Sequence, residues 1–118
     1  AMKLEEFRVY QESMELGEKV WNITIEWDKF AKNTMGYQLV RAVDSIAANL
    51  SEGYGRYHYK EAKNFSYYSR GSLFETKTWL TKANNRGIID KDTFMELMTS
   101  IDSIGIKFNN YINSIGKS

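Results

Sequence analysis

The chain has 118 residues, enough for one domain with one core, and its hydrophobic content of 42% is ordinary for a globular protein. Its 16 basic and 15 acidic side chains leave a net charge of +1, so any attraction to nucleic acid or membranes must be local. Without cysteine, a signal-peptide pattern or an apolar run near the roughly 20 residues of a membrane span, we expect a cytoplasmic protein.

The first predicted helix covers residues 5–27 and has two apolar faces. One face consists of Val9, Leu16, Val20, Ile23 and Trp27. The other is rich in aromatic side chains and consists of Phe7, Tyr10, Met14, Trp21 and Ile25. A surface helix of a bundle needs only one buried stripe. The second face therefore predicts an oligomer contact through Phe7, Tyr10, Met14 and Trp21, with a deeply buried helix as the alternative.

A polar connection over residues 28–35 leads into the second predicted helix, residues 34–53, with Asn33 or Thr34 as its candidate N-cap. Its core stripe is Leu39, Val43, Ile46 and Leu50. A second line at helical spacing contains only hydrogen-bonding side chains, namely Gln38, Arg41, Ser45, Asn49 and Glu52. Gly53 or Gly55 suits the left-handed conformation in which many helices end.

The third predicted helix covers residues 59–86 and has a core stripe of small and hydroxylic side chains. The stripe contains Ala62, Phe65, Ser69, Ser72, Leu73, Thr76, Leu80 and Ala83. Asn84, Asn85, Arg86 and Gly87 then predict a stop. Such small residues favour close helix packing and leave room for polar partners.

The fourth predicted helix covers residues 90–115, with Asp90 as its N-cap. Apolar residues recur in steps of three and four, typical of a bundle seam: Phe94, Leu97, Ile101, Ile104, Phe108, Tyr111 and Ile115. Four helices joined by short loops predict an all-α, antiparallel up-down-up-down four-helix bundle, forming a single domain over residues 1–118.

The polar line of the second helix favours a structural network with the third helix. In this interpretation Ser45, Asn49 and Glu52 bond to Ser69, Ser72 or Glu75 and fix the register of the two helices. The predicted network comprises Arg41, Ser45, Asn49, Glu52, Ser72 and Glu75. The alternative is a solvated face.

Catalytic interpretations have little support in the sequence. His58 is the one histidine and stands in a predicted turn, and the chain lacks the Glu-x-x-His pairs that build di-iron sites in bundles. Glu52 and Glu75 could approach each other across helices, but no nucleophile or metal ligand accompanies them. We expect a non-enzymatic protein without cofactor or metal.

A basic face on the third helix is the stronger candidate for function. Lys60, Lys63, Arg70 and Lys77 fall within about 100° around the helix, and Arg56 is expected to approach from the preceding turn. Tyr67 and Phe74 share this sector. Cations beside aromatic rings suit phosphate neutralisation with base stacking, so these five basic residues are the predicted nucleic-acid-binding site. A solvated face or an oligomer contact is the alternative.

Four motifs also carry a family resemblance. They are Phe7-x-Val9-Tyr10-Gln11, Gln38-x-x-Arg41-Ala42, Ser45-Ile46-x-x-Asn49-Leu50-x-Glu52-Gly53-x-Gly55-Arg56 and Gly71-Ser72-Leu73-x-Glu75. In these motifs the chain resembles the four-helix-bundle proteins encoded in intervening sequences of bacterial 23S ribosomal RNA genes, long labelled ribosomal protein-like. It departs from them at Phe30-Ala31, where the family often has Phe-Pro, and at Val40-Arg41, where two arginines are common.

The resemblance implies a homo-oligomer, in particular a pentameric ring, without established enzymatic activity. It also implies similarity to the accessory proteins of diversity-generating retroelements, which bind nucleic acid and reverse transcriptase. We therefore expect an RNA- or DNA-binding ring in which Tyr57, Tyr59 or Tyr67 is available for base stacking. The alternative is a protein-interaction scaffold, such as an accessory subunit of a reverse transcriptase.

Overall fold

A computed structural model describes residues 7–56 and 58–116. The described residues form four main helices and no strand, and we label the helices α1 (Arg8–Thr24), α2 (Tyr37–Tyr54), α3 (Tyr59–Asn85) and α4 (Lys91–Ser114). The predicted all-α four-helix bundle is confirmed. The predicted start of the first helix at residue 5 lies outside the described residues.

The connection between α1 and α2 differs from the prediction. Residues 25–27 form turns after α1, and Asp28 caps a new helical segment by accepting a hydrogen bond from the Ala31 amide at 3.0 Å. A turn of helix (Lys29–Ala31) and a π-helical turn (Lys32–Gly36) then lead without interruption into α2. The predicted N-cap at Asn33 or Thr34 is therefore wrong, because both residues lie inside a helical turn.

Each helix packs on its neighbour in the chain, and α4 packs on α1 to close the bundle. Gly53 near the end of α2 lies against Phe65 near the start of α3. At the other end of the same pair, Gln38 of α2 and Trp79 of α3 line one surface groove. These two pairings run in opposite directions along the chain, so α2 and α3 are antiparallel.

The core contains the apolar stripes that the periodicity predicts. Leu39, Val43, Ile46 and Leu50 of α2 are all buried, as are Leu97, Ile101, Ile104 and Phe108 of α4. The buried face of α3 is mostly small, with Ala62, Ser66, Ser69, Thr76 and Ala83. Small side chains let α2 and α3 approach closely, and the Ser69 hydroxyl donates a hydrogen bond of 2.5 Å to the Ile46 carbonyl oxygen. This bond satisfies a hydroxyl that is fully buried.

The two predicted glycine stops have different outcomes. Gly87 takes a positive φ of 71°, and the amides of Gly87 and Ile88 donate to the carbonyl oxygens of Asn84 and Ala83. This is the pattern that ends a helix with a left-handed glycine, as predicted. At the end of α2, by contrast, Gly55 has a φ of −85° and Gly53 is still helical. The prediction of a left-handed residue there is wrong.

Candidate nucleic-acid interface

Cationic and aromatic side chains alternate along the outer face of α3. Lys63, Tyr67, Arg70, Phe74 and Lys77 follow one another in steps of four and three residues, which keeps them on one side of the helix. We call these five residues the α3 stripe. Tyr67 is 46% exposed and Phe74 is 62% exposed, while Lys77 is exposed and Lys63 and Arg70 are partly buried. The stripe therefore presents cationic groups and aromatic rings to solvent together.

Arg70 is held in place at the centre of the stripe. Its Nη1 donates a hydrogen bond of 2.9 Å to Oδ1 of Asn109 on α4. Its guanidinium carbon lies 5.0 Å from the centre of the Tyr67 ring, a cation–π contact. An arginine fixed in this way loses less conformational entropy when it binds an anion.

The predicted site is not brought together as a whole. Arg56 forms an ion pair with Glu52, and its guanidinium lies 4.8 Å from the centre of the Phe65 ring. Phe65 and Lys63 are about 200° apart around α3, so Arg56 occupies a different side from the α3 stripe. The expectation that Arg56 joins the basic face is therefore wrong. Lys60 is exposed in the first turn of α3 beside Tyr59, and Tyr57 lies outside the described residues.

The polar line of α2 does not form the predicted network with α3 among the described residues. The side chains of Ser45 and Asn49 donate to carbonyl oxygens one turn earlier in α2, those of Arg41 and Ser45. Ser72 donates to the Tyr68 carbonyl within α3 in the same way. Hydroxyl and amide groups inside helices often bond locally to the preceding turn. The register between α2 and α3 is instead marked by the bond from Ser69 to Ile46.

The two carboxylates considered for acid–base chemistry lie apart. Glu52 pairs with Arg56, and Glu75 accepts a hydrogen bond of 3.2 Å from Nε1 of Trp79. Since Gly53 lies level with Phe65, Glu75 is ten residues further along α3, a distance of about 15 Å. The suggestion that Glu52 and Glu75 approach each other is therefore wrong. Residues 7–56 and 58–116 contain no group of three or more potential metal ligands and no helix able to span a membrane.

Comparison with known protein families gives one family for this chain. The family model for the 23S rRNA-intervening sequence protein matches residues 5–110. The chain belongs to this family. The match includes most of α4, where the sequence motifs themselves gave only a periodic pattern. Comparison with curated proteins gives no match.

One solved structure supports the fold of this chain. It is a protein of unknown function from the S23 ribosomal protein family of Bacteroides thetaiotaomicron VPI-5482. The two chains superpose with a TM-score of 0.79 at 21% sequence identity, over 88% of this chain and 97% of the other. At this identity the likeness shows a shared fold.

The four predicted oligomer-contact residues of this family member separate into two pairs. Phe7 and Tyr10 are partly buried against the core of their own subunit, and the Phe7 ring centre lies 4.6 Å from that of Tyr111. Met14 and Trp21 are 45% and 50% exposed. Of the four, only Met14 and Trp21 expose apolar surface, and Ile25 is exposed nearby.

Three polar contacts made by α4 were not predicted from the sequence. Asn109 fixes Arg70, as described above. Lys107 lies with its Nζ 3.0 Å from Oε2 of Glu12 on α1, and Ser103 donates to the other oxygen of Glu12 at 3.1 Å. These partners are 39 to 95 residues apart in the chain, so no local spacing indicates them.

Proposed function

We propose that this protein binds RNA or DNA without catalysing a reaction, through the basic face of α3. The observation that supports this most strongly is the concentration of charge on one helix. The α3 sequence carries five basic and two acidic side chains, although the whole chain is nearly neutral. A polyanion gains most from such a surface, because each neutralised phosphate releases counterions.

The residues proposed to contact phosphates are Lys60, Lys63, Arg70 and Lys77. Arg56 does not belong to this set, because it is paired with Glu52 and lies on another side of α3. Tyr59, Tyr67 and Phe74 supply exposed rings beside these cations. Rings of this kind stack on unpaired bases, which a purely ionic surface would not do.

Binding is tested by fluorescence anisotropy with labelled structured RNA, single-stranded DNA and an RNA–DNA hybrid. We expect binding at about 50 mM salt that weakens by orders of magnitude towards about 200 mM salt, since phosphate contacts dominate. Absence of binding to all three ligands at the lower salt concentration would refute the proposal.

A homo-oligomer, in particular a pentameric ring, forms part of the proposal. Met14 and Trp21 lie seven residues apart on one face of α1, Ile25 directly follows that helix, and all three are more than 40% exposed. Covering this apolar surface would favour association. A ring would then repeat the α3 stripe several times around one assembly and increase its attraction for a polyanion.

Native mass spectrometry before and after nuclease treatment tests the assembly. We expect an oligomer that survives the nuclease and that Trp21→Glu dissociates, because a charge replaces an apolar contact. Tyr68→Glu is the control, since Tyr68 is an exposed ring on α3. A wild-type mass equal to one subunit would refute the oligomer.

A protein-binding scaffold, including an accessory subunit of a reverse transcriptase, is the second candidate. An apolar groove of about 500 Å³ between α1 and the start of α2 favours it, and its lining includes Trp21, Ile25, Tyr37 and Val40. This candidate predicts co-purification of a protein that still binds after charge reversal at Lys63 and Arg70. The nucleic-acid proposal predicts that the same reversal abolishes binding.

A further inference from the structure

A groove between α3 and α4 lies beside Phe74, the most exposed ring of the α3 stripe. It encloses about 320 Å³, and its apolar lining is Leu73, Phe74, Ile101, Gly105 and Ile106. Gly105 contributes no side chain, and a Cβ there would only just reach Leu73, at 3.8 Å from its Cδ2. The groove therefore contains an apolar recess, and the exposed Phe74 ring lines it.

Both ends of this recess carry a cation. Arg70 and Lys77 line the same groove and are seven residues apart, about 10.5 Å along the helix axis. Arg70 is already oriented by Asn109 and Tyr67. Phe74 lies between the two cations, three residues from Lys77 and four from Arg70.

We infer that this groove binds one base of a single-stranded nucleic acid, a conclusion that rests on the proposed nucleic-acid function. The base stacks on Phe74 and enters the apolar recess, while Arg70 and Lys77 bind the phosphates on either side. A paired base is unable to reach the ring without leaving its duplex, which costs a few kcal/mol of unstacking. The surface therefore selects single strands over duplexes.

The one acidic residue of the groove gives the bound base an orientation. Asp102 is exposed on α4 and lines the recess opposite the α3 stripe. Its carboxylate repels phosphate but accepts a hydrogen bond from the amino group of a base, as acidic side chains do with N4 of cytosine. A cytosine therefore fits this groove better than a thymine, which has no amino group.

The test compares a labelled 12-nucleotide strand with its duplex, as DNA and as RNA, by fluorescence anisotropy at matched salt. We expect the single strand to bind at least about fivefold more tightly than the duplex. Phe74→Ala should weaken single-strand binding by about fivefold or more. Tyr68→Ala is the matched control, because it removes an exposed ring from α3 outside the stripe and should leave single-strand affinity unchanged.

Homopolymers test the orientation of the base. Oligo-dC should bind more tightly than oligo-dT, and Asp102→Ala should remove the difference. Equal wild-type affinity for the two homopolymers would overturn the role of Asp102.

Two results separate failure of this inference from failure of the proposed function. If strand and duplex bind equally and Phe74→Ala has no effect, the single-strand inference is wrong while nucleic-acid binding stands. If neither ligand binds at low salt, both are wrong.

Discussion

Gly53 of α2 packs directly on Phe65 of α3, and a Cβ at position 53 would stand 2.8 Å from the Phe65 Cβ. The same Cβ would lie 3.1 Å from the carbonyl oxygen of Ala62. Both neighbours are close to or part of the α3 backbone, so neither can rotate away. Gly53 is therefore needed for the contact between the two helices, and the left-handed turn predicted from the Gly-x-Gly motif is not the reason for it.

Gly53→Ala should lower the free energy of unfolding by about 1–3 kcal/mol, because α2 and α3 would have to separate to admit the methyl group. Chemical denaturation measures the change. Gly55→Ala is the matched control two residues later, since a Cβ there would meet nothing within 4 Å. Equal effects of the two substitutions would contradict this account.

Asp28→Ala should lower the free energy of unfolding by about 1 kcal/mol, because the Asp28 carboxylate caps the helical turn that starts at Lys29. Asn33→Ala should have little effect, since Asn33 lies exposed inside the π-helical turn and caps nothing there. Thermal unfolding distinguishes the two variants. A larger loss from Asn33→Ala would instead support the helix start predicted from the sequence.

Asp44→Asn should stabilise the protein at pH 7. Partial burial, and secondarily the charge of Glu18, raises the pKa of Asp44 above its ordinary value of 3.8. The Asp44 carboxyl group therefore binds its proton more tightly in the folded state than in the unfolded state. As a result, the free energy of unfolding falls as pH rises from 3.8 through the folded-state pKa of Asp44. The advantage of asparagine should disappear below pH 3.8, where aspartate is protonated in both states. Melting temperatures at pH 7 and pH 3 give the comparison.

Glu12 and Lys107 should show a coupling of about 1 kcal/mol in a double-mutant cycle with Glu12→Gln and Lys107→Met. Their atoms are 3.0 Å apart, and both side chains are at least partly shielded from solvent. The matched cycle uses Arg8, which lies 4.0 Å from the same carboxylate but is 74% exposed. Exposed pairs contribute little, so this second coupling should be near zero. Two equal couplings would show that burial does not matter here.

The core residues could be predicted from the sequence, because burial of one helix face requires apolar residues at helical spacing. The positions of Leu39, Val43, Ile46 and Leu50 follow from that period alone. The length of the second helix did not follow, because the π-helical turn changes the period between Lys32 and Gly36. A sequence pattern read at 3.6 residues per turn treats that segment as a loop.

The sequence predicts which face of a helix a side chain lies on better than it predicts the hydrogen-bond partner of that side chain. The polar line of α2 was located correctly, but Ser45 and Asn49 form hydrogen bonds within their own helix. Residue spacing does not distinguish such local bonds from bonds to a neighbouring helix. The contact of Arg70 with Asn109 joins residues 39 positions apart and depends on how α3 packs on α4. The position of the Arg56 side chain depends on the conformation of the turn between α2 and α3, which the spacing of residues does not predict. The α3 stripe itself was predictable, and the groove beside it was not.

Charge reversal on the α3 stripe tests the central claim most directly. The test variant carries Lys63→Glu and Lys77→Glu, and the control variant carries Lys29→Glu and Lys91→Glu. The control changes the net charge by the same amount at two exposed positions, Lys29 ahead of α2 and Lys91 at the start of α4. We predict that the stripe variant binds a single-stranded oligonucleotide much more weakly and that its salt slope of log Kd is lower by about 1.4, while the control keeps both near wild type. Equal binding by the two variants would contradict a nucleic-acid interface on α3.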